Sequence, residues 1–268
     1  MSKAAASPKF TILTAARNAA DGLAATAASL REQRFKDLEW VVIDGASRDD
    51  TRQRIETFDG LDIIFVSEPD TGIYSALNKG LALVRGQWLL ILGAGDALCD
   101  GDVLATVAEH LDSLPDEITT AYGFVAVHDP ATGKVERVWD RTWEGLDGPW
   151  GGGRPKLPCH QGVFQRSELF VRDGFRFDEH CRISADNEIL LREFVAGRGL
   201  KLDVMVARFE AGGTSAQERN RLRMVWESVR INWKLGIFWR RPFYQAAVVA
   251  WNALQHAVLR VRRRSAAN

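Results

Sequence analysis

Four apolar runs in the first third of the chain alternate with stretches of helical period: FTILTA (10–15), LEWVVID (38–44), LDIIFVS (61–67) and QWLLILG (87–93). No other feature narrows the fold as much. The runs read as buried strands, and the segments 21–33, 51–58 and 73–84 between them read as helices. Strand and helix in strict alternation predict an α/β fold with a mostly parallel sheet flanked by helices on both faces. In such sheets ligands sit beyond the carboxyl ends of the strands, so the loops after Ala15, Asp44, Ser67 and Leu92 are expected to converge on one site. The second half is less regular. It predicts a helix over 103–111, strands over 119–127 and 135–139, and a mobile Gly-rich loop at Gly151-Gly152-Gly153.

With 268 residues, 46% of them hydrophobic, the chain can bury one large α/β core, with or without an appendage. Three cysteines, at 99, 159 and 181, are an odd number without CxxC spacing, which argues against a disulfide framework. Cys159-His160 and His180-Cys181 pair a thiol with an imidazole, but neighbours in sequence rarely reach one ion together, so zinc is not expected. Residues 1–9 lack the apolar stretch of a signal peptide, and the expected compartment is the cytoplasm. Formal charge is zero, with 35 basic and 35 acidic residues, yet from Arg219 to Arg264 eleven Arg or Lys face the single acid Glu227. A net acidic body with a basic tail points to an anionic surface for the tail.

The segment Asp44-Gly45-Ala46-Ser47-Arg48-Asp49-Asp50-Thr51 places a carboxylate at a strand end, where it can accept the N3–H of a uracil or thymine ring. Ser47 with Asp50 reads as an S-x-x-D capping box, which leaves Asp44 unexplained. Glu68-Pro69-Asp70-Thr71-Gly72 precedes Asn78-Lys79-Gly80, and Lys79 can pair with a phosphate or simply lie on a solvated helix face. Gly93-Ala94-Gly95-Asp96 ends a buried strand with small residues and one carboxylate. A diphosphate can approach that backbone while Asp96 holds Mg or Mn; the alternative is an Asp that only caps a turn. Cys159-His160-Gln161-Gly162 and Ser184-Ala185-Asp186-Asn187-Glu188 supply a histidine and a close pair of acids, one of which can serve as a general base or as a helix cap.

In their order, FTILTAARN, VVIDGASRDDT, SEPDTGIYSALNKG, LLILGAGD, CHQGVFQRSELF, ISADNEILLREF and GGTS resemble the family 2 glycosyltransferases, above all the bacterial branch that builds O-antigen, capsule and exopolysaccharide. The resemblance implies a GT-A fold, Rossmann-like, over residues 1–215, followed by a helical tail over 216–268. It implies an inverting transferase that moves a sugar from a nucleotide-diphosphate donor to a hydroxyl of a glycan or lipid-linked acceptor. By position, Ala15 and Asp44 contact the base, Arg17, Asp70, Lys79 and Gly95 join them on the nucleotide side, and Asp96 is the metal-binding member of the family's DxD. Asp186 matches the catalytic base, and His160, Gln161 and Glu188 fall on the acceptor and sugar side. The implied cofactor is Mn or Mg, with no nucleic-acid partner.

Three positions depart from the family pattern. Gly45 and Ala94 stand where acids are common, and Ala185-Asp186 replaces Glu-Asp, leaving Glu188 as the nearest competitor for the base. A non-catalytic sugar-nucleotide-binding scaffold is the alternative reading. No GxGxxG follows the first strand, which excludes a dinucleotide-dependent oxidoreductase. The tail carries Trp226, Trp233, Trp239 and Trp251 beside many arginines, and its apolar stretch 243–259 is interrupted by Gln245, Asn252, Gln255 and His256, a poor transmembrane span. The composition suits peripheral contact through residues 219–264 with the headgroups of an anionic leaflet, at the inner face of the plasma membrane. Packing on the catalytic domain, or a homodimer contact, is the other reading of the tail.

Overall fold

A computed structural model describes residues 7–129, 131–212, 217 and 220–265, and the side chains of all of these except 256 and 258–265. Gly213, Thr214, Ser215 and Arg219 of the sequence reading lie outside the described residues, as do the side chains of Arg260, Arg262, Arg263 and Arg264.

The chain begins β1 (Phe10–Ala16), α1 (Ala20–Arg31), β2 (Leu38–Asp44), α2 (Thr51–Ile55), β3 (Ile63–Ser67), α3 (Ile73–Leu81) and β4 (Trp88–Ile91). These strands pair in parallel in the order β3-β2-β1-β4. Alternate residues face opposite sides, which is why the runs had to be apolar throughout. Phe10, Ile12, Trp40 and Val42 pack on one face with Leu23, Leu30 and Val107, while Leu13, Val41 and Ile43 pack on the other with Leu77, Leu81 and Phe170.

The strands β5 (Ala97–Leu98), β6 (Thr120–His128), β7 (Val135–Trp139), β10 (Val163–Arg166) and β11 (Gly199–Glu210), with helix α4 (Val103–Asp112), complete the sheet region. Among the described residues the sheet has nine strands, in the order β3-β2-β1-β4-β10-β6-β11-β5 with β7 on β6. Strand β10 runs antiparallel to both β4 and β6, so the sheet is mixed, parallel in its first half. The expected mobile loop at 151–153 is instead the turn of a small hairpin, β8 (Trp150–Gly151) with β9 (Arg154–Pro155). Gly152 and Gly153 supply the positive φ that such a tight reversal needs (61° and 85°).

Helices α5 (Glu168–Val171) and α6 (Asp186–Val195) cover the second half, and α7 (Arg221–Lys234) and α8 (Pro242–Ser265) form the tail. Helix α7 belongs to the body's core: Ile231 and Ile237 are buried with Tyr122, Leu157, Val163, Leu190, Leu191 and Phe194. Among the described residues no helix is long and apolar enough to cross a membrane.

At the end of the sheet away from the convergent loops, Glu39 is fully buried. It accepts hydrogen bonds from the Thr11 hydroxyl, the Arg85 backbone N–H (2.8 Å) and the Arg85 guanidinium. Removing that acceptor strands buried donors, so Glu39→Ala is expected to cost about 3 kcal/mol of stability, measured by urea unfolding.

Candidate active site

The register of the parallel strands sets the site. Ala16 pairs with Asp44 and Asp44 with Ser67, so three strands end level, and the Leu92 N–H donating to the Leu13 carbonyl (3.1 Å) ties the end of β4 beside them. Asp44 is 1% exposed. Its carboxylate accepts the Ser47 N–H (3.0 Å), the Ser47 hydroxyl and the Ser67 hydroxyl (2.7 Å). Ser47 is therefore not half of a capping box: α2 starts at Thr51, and the Ser47 oxygen also accepts the Asn18 N–H (2.7 Å). The thrice-bonded Asp44 turns the loop after β2 and keeps lone-pair capacity for at most one further donor.

Beside it, the position that the family often gives an acid is glycine, and the space is filled from elsewhere. A Cβ at Gly45 would stand 2.2 Å from Asp70 Oδ2 and 3.5 Å from Arg17 Cδ. Asp70 is held in that position by the Gly72 N–H, which donates to its other oxygen (2.9 Å). Half-buried Ala15, exposed Arg17 and Asp70 thus gather at the Asp44 end of the sheet. Lys79 is engaged locally: its ammonium pairs with Glu68 (2.7 Å) and donates to the Pro69 carbonyl (2.7 Å), so a phosphate would have to compete for it.

A second group forms where β4 ends. The turn Gly93 to Gly95 reverses the chain with Gly95 at φ 106°, and the Gly93 N–H donates to Asp96 Oδ2 (2.7 Å). Burial pushes the Asp96 carboxyl up from the usual carboxylate range, and the Gly93 N–H, the nearby His160 and the Gln161 amide pull it back. His160 and Gln161 lie in a 3-10 turn, His160–Gly162, directly before β10. The Cys159 thiol donates to Gln161 Oε1 (2.8 Å), which turns the amide N–H of Gln161 toward Asp96. Burial raises the Cys159 thiol to about 12, so it remains that donor at neutral pH. On the far side of the turn, His160 Nδ1 is 3.6 Å from Asp186 Oδ2. One short turn therefore touches both candidate carboxylates.

Asp186 is the first residue of α6 and is partly exposed. The Tyr74 hydroxyl of α3 donates to its Oδ1 (2.9 Å). Burial, together with the Asp186 charge, pushes the Tyr74 hydroxyl well above its ordinary value, so it stays a donor through the neutral range. Arg154 of the hairpin contributes its charge nearby; burial lowers its pKa and the Asp186 carboxylate opposes that. Glu188 is different in kind. It is 2% exposed and paired with Lys234 of α7 (2.7 Å) and Arg192 (3.4 Å), a structural ion pair away from the solvent-facing carboxylates.

Tyr74 and Arg154 were not singled out from the sequence, and Cys159 was weighed there only as a zinc ligand. Tyr74 lies inside SEPDTGIYSALNKG, but nothing in a linear pattern says that its hydroxyl meets a carboxylate from another helix. Among the described residues no group of three or more His, Cys, Asp or Glu comes together as a metal site.

The mixed sheet flanked by helices is a fold of the GT-A type. The family model described as Glycosyl transferase family 2 matches residues 11–162, more than half of the chain, and the chain belongs to that family. A "PGL/p-HBAD biosynthesis glycosyltransferase" of Mycobacterium tuberculosis is 32% identical over 200 residues, 70% of this chain and 71% of that one. An "uncharacterized glycosyltransferase" of the same species is 28% identical over 223 residues, 78% of each chain. Among solved structures, a mannosyltransferase from Pyrobaculum calidifontis in complex with GDP-Man and Mn2+ superposes with a TM-score of 0.61 at 18% identity, covering 97% of this chain and 81% of that one. The S. aureus TarS fragment in complex with UDP-GlcNAc gives 0.60 at 16% identity and 83% coverage of this chain, which spans 66% of that fragment, just under two thirds. At those identities the likeness is one of fold.

The contact between Gly45 and Asp70 is testable through stability. Gly45→Ala is expected to cost about 1–3 kcal/mol because the carboxylate must leave its place, and Asp70→Ala in the same chain is expected to restore part of that loss, read as a double-mutant cycle in urea.

Proposed function

We propose that this glycosyltransferase is inverting and moves a sugar from a nucleotide-diphosphate donor, a UDP-sugar, to a hydroxyl of a glycan or lipid-linked glycan in cell-surface polysaccharide synthesis. The observation that carries the reading is the pair Asp96 and Asp186, joined through Gln161 and His160 of one turn, one at the end of a parallel strand and one at the start of a helix. Ala15, Arg17, Asp44, Asp70 and Lys79 then form the nucleotide side, with Gly95 leaving the backbone open to the diphosphate.

Asp186 acts as the general base. Tyr74 fixes one of its oxygens, and the other lies 3.6 Å from His160 Nδ1. The acceptor hydroxyl gives its proton to that carboxylate as its oxygen attacks the anomeric carbon. The new C–O bond forms on the face opposite the diphosphate, the old one breaks, and its electron pair leaves with the diphosphate, which inverts the anomeric centre. Asp96 is the one protein carboxylate here that would hold a divalent cation such as Mg or Mn, hard ions that take oxygen ligands. When bound, such a cation neutralises charge on the departing diphosphate.

The decisive experiment is release of nucleotide diphosphate from a panel of UDP-, dTDP- and GDP-sugars with Mn and a lipid-extract acceptor. Wild type is expected to release it from one donor class, and Asp186→Asn to lose about a hundredfold or more while still binding the nucleotide. Turnover by Asp186→Asn at the wild-type rate would sink the assignment, and nucleotide binding without turnover by wild type would favour a scaffold.

The membrane reading is supported by the tail's surface. Trp226, Trp233, Trp239, Trp251 and Phe243 are all exposed, Phe243 by 89%, next to Arg223, Arg230 and Arg240. Aromatic rings and guanidinium groups together fit an anionic headgroup layer, which supports peripheral attachment to the inner leaflet. Full-length protein is expected to co-sediment with phosphatidylglycerol vesicles and not with phosphatidylcholine vesicles, and to lose that binding when the four tail tryptophans become serine. Equal sedimentation of both proteins overturns the idea.

A further inference from the structure

Glu227 of α7 is an acid in an otherwise basic segment, and it is 8% exposed. Its partners lie outside the tail. Oε1 accepts the Arg182 N–H (2.8 Å), and Oε2 accepts the Ile183 N–H (3.0 Å) and the Ser184 N–H (2.9 Å). These three consecutive amides lead directly into α6, whose first residue is Asp186. Ser184 and Ala185 form its first turn, accepting the N–H groups of Asn187 and Glu188. The N–H groups at the start of a helix have no partner within it, and here a carboxylate from another helix satisfies those just ahead of it.

The rest of α7 holds the same segment from both ends. Arg230 pairs with Asp178 upstream (2.7 Å), and Lys234 pairs with Glu188 downstream (2.7 Å). Residues 227, 230 and 234 recur at helical spacing, so one face of α7 lies along 178–188. From a neighbouring position Asn232 donates to the Gly153 carbonyl (2.7 Å), securing the hairpin that carries Arg154. The loop also reaches the nucleotide side: the Arg182 guanidinium donates to the Thr71 carbonyl, and a Cβ at Gly72 would stand 2.8 Å from it. That turn opens α3, which bears Tyr74, the hydrogen-bond donor to Asp186.

We propose that Glu227 is a positioning residue for Asp186: its carboxylate, by gripping the amides of 182–184, sets where the base points and couples the C-terminal segment to turnover. The inference rests on Asp186 being the base. An acid at the first turn of a helix moves with any shift of that turn, and a displacement of about 1 Å at a catalytic group can cost about a hundredfold in rate. Glu227→Gln keeps an acceptor for two of the three amides and turns an N–H2 toward the third. Glu227→Ala keeps none.

The test uses the full chain with the donor that the release assay identifies. In Glu227→Ala, kcat is expected to fall about tenfold to a hundredfold, with KM for the donor and UDP binding by calorimetry within about twofold of wild type. Glu227→Gln is expected to lie between. Amide hydrogen exchange, read on the same proteins, is expected to accelerate at 182–184 and to stay unchanged in β1 to β4. Exchange needs no substrate, so it reports on Glu227 even if Asp186→Asn proves fully active and the base assignment fails. Wild-type kcat in a variant whose 182–184 amides are deprotected overturns the proposal. So does a loss of donor binding with exchange raised throughout, the signature of general destabilisation. If Glu227→Ala does not fold, the near-isosteric Glu227→Gln carries both readouts.

Discussion

The buried carboxylate of Asp44 is the constraint on which the loops at the carboxyl end of the parallel strands depend. It closes the carboxyl end of β2 by taking both donors of Ser47 and the hydroxyl of Ser67, while the Gly45 N–H donates to Ala16 and the Glu68 N–H to Asp44 across the same edge. A parallel sheet leaves such ends with unpaired backbone groups, and an irregular loop over them is tolerable only when those groups find partners. Once they do, the turns after β1, β2 and β3 have fixed starting points. Asp70 can then lean over a glycine that offers no side chain of its own. The acid missing at 45 is in this sense supplied by position 70, through space.

The part of the site that holds Asp96 and Asp186 is built differently. Asp96 rides on the end of β4, a strand in the middle of the sheet, whereas Asp186 starts a helix nearly a hundred residues later. Nothing in the sheet itself relates them. The 3-10 turn at His160–Gly162 does, because β10 must enter antiparallel between β4 and β6 and so brings its preceding turn over the end of β4. Cys159 fixes the amide of Gln161 there, and a thiol that burial keeps protonated is a steady donor for the purpose. Helix α7 supplies the last restraint, and its apolar face shares a core with Tyr122 and Phe194. Packing thus joins the start of the helical tail to the sheet region. On α7, Trp226 and Trp233 face outward while Glu227 and Asn232 are buried against the body.

Much of this was legible in the sequence. The strand at 38–44 and the strand at 135–139 have the extents that their apolar and alternating patterns indicate, and the remaining early elements differ at their ends by a few residues. Asp96 and Asp186 stood out only through the family resemblance, since by local pattern an Asp after a strand and an Asp at a helix start each read equally well as a cap. Ser47 misled: serine three residues before an acid is a capping pattern, but the tertiary demand of Asp44 for donors outweighed the local one. Gly151-Gly152-Gly153 misled for a related reason, since consecutive glycines mark flexibility and tight reversal alike, and only the pairing of Trp150 with Pro155 chooses between them.

What the sequence by itself determined is therefore the alternating architecture and the edge on which the polar loops gather. Those follow from periodicity and from strand ends, which are local properties of the chain. Only the tertiary structure decided that Lys79 is occupied by Glu68, that Glu188 is locked to Lys234, that Tyr74 serves Asp186 and that an acid of the tail grips the loop before it. Each of these joins partners whose pairing depends on which way a side chain turns. At buried Tyr74 and Glu227 that choice is made by burial, which removes water as the competing partner, whereas at the more exposed Lys79 the fold brings Glu68 and the Pro69 carbonyl within reach.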